Sequence, residues 1–136
     1  MRILAVDYGE RRTGVAVSDE LGITAQGLDT IEITDESEIL SRVADLAEET
    51  NAEKVVIGLP LNMDGTESEK SEKVRLFGAQ LEELTKKPVT FWDERMTSMQ
   101  AKRVMQELEI KTYKNKPLVD KISATLILQE FLKTIV

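Results

Sequence analysis

Cysteine and histidine are both absent from this 136-residue chain. Without cysteine there is no disulfide framework and no thiolate metal site. Without histidine, Ser-His and Cys-His nucleophilic catalysis are excluded, and so is histidine-ligated zinc. Aromatic residues make up only 4% of the chain, too few for extensive base stacking, so recognition of a nucleic acid would rest on shape and backbone. No apolar run approaches the roughly 20 residues that span a bilayer, and the N-terminus carries no signal-like apolar core. A cytoplasmic protein without membrane contact is therefore expected. The chemistry left to such a chain belongs to carboxylates, lysines, hydroxyls or a hard metal ion.

Acidic groups are plentiful, with a formal net charge of −7, and they are unevenly spread. Residues 29–53 hold nine acids against one base, Arg42, whereas residues 86–121 hold nine bases against five acids. Three of those five are Asp93, Glu94 and Asp120, so a basic surplus surrounds the most interesting carboxylates and suits an anionic substrate. The length suits one domain, expected over residues 1–136.

Residues 2–7, 14–18 and roughly 23–33 read as three strands joined by short connections, an antiparallel meander. Asp35 and Glu38 mark a helix start, followed by the stripe Ile39, Val43, Leu46 and Ala47. Lys54–Gly58 has the continuous apolar character of a buried parallel strand. A loop through Asn62-Met63-Asp64-Gly65 leads to a polar helix with Val74, Phe77, Leu81 and Leu84 on one face. Pro88–Trp92 forms another strand. Thr97 and Gln100 suggest a capping box for the next helix, residues 109–116 a basic connection, and Pro117 the start of a last helix. Met96, Met99 and Met105 are expected in packing. The order predicts an α/β fold, a three-layer mixed sheet with helices on both faces.

Four acids occupy informative places. Asp7 ends the first strand and enters a turn bracketed by Gly9 and Gly14, where an unpaired carboxylate is costly unless it has a task. Asp93 and Glu94 follow the last apolar strand. Asp120, expected in the first turn of the last helix, heads the stripe Ala124, Ile127 and Phe131, so it points inward. Strand ends of an α/β sheet gather where ligands bind. Carboxylates gathered there repel unless a cation offsets them, and with oxygen-only ligands the expected ion is Mg²⁺ or Mn²⁺. Such a centre suits phosphodiester hydrolysis without a protein nucleophile.

The segments AVDYGERRTGVAVSD, VVIGLPLNMDGT, WDERMTSMQA and VDKISATLILQEFL, in this order, resemble the YqgF family, an RNase H-like group related to the resolvase RuvC. The resemblance extends over nearly the whole chain. It implies a single RNase H-like domain and a metal-dependent nuclease for the 5′ end of pre-16S rRNA, or a Holliday junction resolvase. It also implies Asp7, Glu94 and Asp120 as metal ligands and catalytic acids, with Asp93 the alternative to Glu94. Strand alternation sends Asp93 and Glu94 to opposite faces, so one of the two should reach the metal. Arg12, Arg95, Lys116, Lys121 and Asn62 are the expected nucleic-acid contacts, with Arg11 as readily a surface charge. The implied partners are structured RNA (pre-16S rRNA in a pre-ribosomal particle) or branched DNA, met by a monomer or homodimer. One departure stands out: RuvC-like resolvases pair acids on the last helix, whereas Pro117 and Ser123 stand three residues either side of Asp120. The absent acid weighs against junction chemistry more than against metal binding.

Overall fold

The computed structural model describes residues 1–135. Its strands are β1 (Ile3–Asp7), β2 (Gly14–Ser18), β3 (Ala25–Gly27), β4 (Lys54–Leu59) and β5 (Val89–Asp93). Its helices are α1 (Glu36–Glu49), α2 (Glu69–Thr85), α3 (Met99–Thr112) and α4 (Lys116–Thr134), with a 3₁₀ turn at Glu94–Met96. The sheet order is β3-β2-β1-β4-β5. The β1-β2-β3 half is antiparallel, and β4 and β5 run parallel to β1. This is the expected mixed α/β sheet.

Alternation along the strands divides the core into two layers. Leu4, Val6, Val55 and Ile57 pack against Ile39 and Val43 of α1 and Val74 and Phe77 of α2. Ile3, Ala5, Val56 and Trp92 pack on the other face against Ala124, Ile127, Leu128 and Phe131 of α4. The α1 stripe lies inward as its spacing predicts, and Asp35 caps that helix by accepting from the Glu38 N–H at 3.0 Å. On α2 the expected stripe stops at Leu81. Leu84 is 55% exposed, because the helix end has run past the sheet it covers.

Five further expectations need correction. The third strand is only three residues long. The Leu28 N–H donates to the Val15 carbonyl and the Ile31 N–H to the Thr13 carbonyl, so Asp29 and Thr30 together oppose Gly14. This two-against-one arrangement interrupts the ladder as a β-bulge does. The Thr30 hydroxyl donates instead to the Pro117 carbonyl of α4. The cap of α3 is Ser98, one residue later than expected, with Thr97 closing the 3₁₀ turn. The α3 helix continues to Thr112, which shortens the basic connection to Tyr113–Asn115. Met96 and Met99 are exposed, not packed, because they flank the turn into α3.

Asp120 lies in the second turn of α4, since Asn115 is the cap and Lys116 opens the helix. A first-turn helix-dipole role therefore does not account for it.

Candidate active site

Asp7 follows Ile3 and Ala5 on the α4 side of the sheet, because alternate residues share a face. Gly14 is its direct partner across the β1–β2 ladder. The backbone of α4 comes so near that a Cβ on Gly14 would lie 2.1 Å from the Asp120 carbonyl oxygen. Glycine at this position thus brings Asp120 over the strand end that carries Asp7. Gly58 does the same on β4: a Cβ there would stand 3.1 Å from Glu94 Oε1. Asp7, Glu94 and Asp120 come together on one face, from three separate parts of the chain.

Gly14→Ala should lower the melting temperature by roughly 10 °C, since the added methyl meets immovable helix backbone and overpacking costs up to about 3 kcal/mol or more. A thermal melt unchanged by this substitution would show that α4 does not sit this close.

Electrostatics separate the neighbouring acids. Burial pushes the Asp7 carboxyl up to about 7, helped by the charge of Glu94 and then of Asp120, with Lys70 and the Ser123 hydroxyl acting in the opposite direction. Burial also raises Glu94 above the ordinary carboxylate range, against the pull of Lys70. Asp93 moves downward, chiefly because the Arg95 side chain hydrogen-bonds to it. That guanidinium reaches Asp93 at 2.7 Å and also extends toward the Met63 carbonyl. Asp93 thus holds Arg95, whose guanidinium links the turn after β5 to the 62–66 loop.

Asn62 belongs to the same assembly. Its side-chain amide donates to Thr66 Oγ1 and the Glu67 carbonyl, closing the loop on itself. Lys116 is exposed at the start of α4. The Lys121 stem lies over Gly27 of β3, toward the sheet edge. Of the expected nucleic-acid contacts, Arg12 alone pairs with one of the three convergent acids: its Nε donates to Asp120 Oδ2 at 2.7 Å. Among the described residues, no group of three carboxylates stands in ready-made ligating geometry.

A groove of about 540 Å³ opens beside Asp120, with Arg11, Arg12, Lys70 and Lys73 on its walls together with Glu10 and Glu69. Stacking of Tyr8 on Phe77, with ring centroids 4.4 Å apart, holds the β1–β2 loop against α2 and forms one side. Sequence reasoning missed Lys70, Lys73 and the position of Ser123 against Asp7. The two lysines are three positions apart on a polar helix, and nothing local marks them as facing the distant end of β1.

The model of the RuvX family, described as "Holliday junction resolvase", matches residues 1–134. The chain belongs to the RuvX family. This agrees with the YqgF resemblance of its motifs. A relative from Koribacter versatilis, named "Putative pre-16S rRNA nuclease", is 47% identical over 132 residues, covering 97% of this chain and 86% of the relative. A relative from Clostridium acetobutylicum with the same name is 44% identical, covering 99% of this chain and all of its own length. Among solved structures, Thermus thermophilus RuvC with a Holliday junction substrate superposes with a TM-score of 0.62 at 14% identity, covering 98% and 96% of the two chains. The fowlpox virus Holliday junction resolvase gives 0.61 at 13% identity over 100% of both. These likenesses place the RuvX fold with the RuvC-type resolvases.

Proposed function

We propose that this RuvX-family chain is a metal-dependent nuclease that hydrolyses phosphodiester bonds, acting in 5′-end processing of pre-16S rRNA. The observation that carries the reading is the convergence of Asp7, Glu94 and Asp120 on one face of the sheet, with a groove beside Asp120 to which Arg11, Arg12, Lys70 and Lys73 contribute. The names of the relatives at 41–47% identity support RNA as the substrate. The description of the family model favours a second reading, a DNA endonuclease that resolves four-way junctions.

The donor set fits a hard divalent cation. Two desolvated, mutually repelling carboxylates offer only oxygen, the ligand chemistry of Mg²⁺ or Mn²⁺. Asp7 and Glu94 would hold the ion, with Asp120 as the third oxygen donor beside them. When bound, the ion supplies an activated water and neutralises charge on the phosphate. Arg12, at the groove beside Asp120, would bind a backbone phosphate, for which a guanidinium is well shaped. Asp93 and Arg95 brace the turn that presents Glu94, and the α4 stripe below keeps the acids partly out of water. Arg12 and the basic start of α4, with Lys116 and Lys121, give the substrate backbone its other contacts.

Incubating the protein and Mn²⁺ with 5′-extended 16S rRNA precursor and, separately, with a synthetic four-way DNA junction tests the assignment. Trimming of the RNA is the expected outcome. Cleavage of the junction alone would transfer the assignment to a resolvase, and no cleavage of either would reject the nuclease.

A further inference from the structure

The groove beside the acids contains cations of two kinds. Arg12 is held by Asp120 at 2.7 Å, and Lys73 by Glu10 at 3.0 Å. Lys70 and Arg11 form no ion pair among the described residues; of these two, Lys70 lines the groove from the first turn of α2, and it is the one whose charge reaches Asp7 and Glu94. Its place is fixed by the chain beneath it. Ser68 and Ser71 cap that turn reciprocally, and the Ser68 hydroxyl donates to the Pro60 carbonyl at 2.6 Å, tying α2 to the segment leaving β4. The Lys70 charge is felt by Asp7 and Glu94, and more distantly by Glu10, which is itself bonded to Lys73. An ammonium near two candidate metal ligands, with no carboxylate of its own, is placed to receive an added anion. A cation already paired must first give up its partner.

We propose that Lys70 is a phosphate-binding residue of this nuclease, whose ammonium holds the substrate backbone at the carboxylate centre while the strand continues along the groove past Arg12 and Lys73. The proposal rests on the nuclease reading and deepens it. It assigns a side to the substrate: the strand lies against the first turn of α2 and the β1–β2 loop, not across the 62–66 loop. There the Asn62 amide is committed to Thr66 and Glu67 of its own loop, and the Arg95 guanidinium to Asp93. An ammonium serves this role as a point charge, so arginine should substitute for it.

The test is binding of a fluorescent, single-stranded 5′-extended RNA in chelator, so that nothing is cleaved, across about 50 to 200 mM salt. Wild type, Lys70→Gln and Lys70→Arg are compared. Lys70→Gln should bind about tenfold more weakly at the low-salt end. The dependence of log affinity on log salt should be shallower by about 0.7, the loss of one single-strand phosphate contact. Lys70→Arg should restore both. A Lys70 that merely offsets the carboxylates would leave the salt slope unchanged, and that result overturns the proposal. If wild type binds a four-way DNA junction and not the RNA, the RNA reading falls, and the same comparison on the junction still decides the role of Lys70. Binding of neither by wild type overturns both.

Discussion

Replacing Asp7 with Asn is expected to stabilise the protein in chelator above neutral pH and to leave its stability unchanged near pH 4. The Asp7 carboxyl is raised to about 7 in the folded chain from 3.8, mainly by burial. An acid with a raised folded value binds its proton more tightly in the native state. Its contribution is therefore most favourable below about pH 4, diminishes as pH rises toward 7, and is then fully lost. The penalty for ionising Asp7 amounts to at most about 4 kcal/mol, reduced by its partial exposure to water. Asn resembles the protonated acid and escapes the penalty. Other carboxylates, Asp93 and Glu67 among them, shift downward and stabilise the fold as pH rises, so the wild-type profile alone mixes opposing contributions. The difference between variant and wild type isolates Asp7. Thermal melts should show Asp7→Asn equal to wild type at about pH 4 and higher by roughly 10 °C at about pH 8. A difference independent of pH would show that Asp7 carries no such penalty.

The second large effect separates adjacent acids. Glu94→Gln should reduce RNA cleavage on the order of a thousandfold, because it removes a carboxylate of the candidate metal centre. Asp93→Asn should cost less than about tenfold in rate and about 1 kcal/mol in stability, because Asp93 is engaged with Arg95 near the surface. Cleavage rates and melts of the two variants, measured together, decide the matter. Loss of activity in Asp93→Asn with Glu94→Gln active would reverse the assignment. The structural basis is plain alternation: Phe91 packs on the α1–α2 side and Trp92 on the α4 side, so Asp93 returns to the first face and Glu94 reaches over Gly58 on the second.

That alternation was legible in the sequence, as were the inward stripe from Asp120 to Phe131 and the burial of β1 and β4. Each depends on spacing within a single element, which hydrophobic periodicity reports directly. What spacing does not report is contact between elements. The bulge at Asp29–Thr30 arises where α4 draws the Thr30 hydroxyl to the Pro117 carbonyl, 87 residues away in the chain. Lys70 reads as one more charge on a polar helix until the stacked Tyr8 and Phe77 bring α2 beside the hairpin. Asn62, by contrast, sits in a recognisable loop, and its local hydrogen bonds to Thr66 and Glu67 consume the amide that sequence reasoning offered to substrate. The Arg12–Asp120 pair required both kinds of information. Each residue was identified as a candidate, and only the approach of α4 to Gly14 joins them.

Asp7 as the anchor of a divalent metal is open to calorimetric titration of Mn²⁺ into wild type and Asp7→Asn at about pH 7.5. Wild type should take up the ion saturably and the variant should take up none. Equal uptake by both, or none by wild type, would contradict that role.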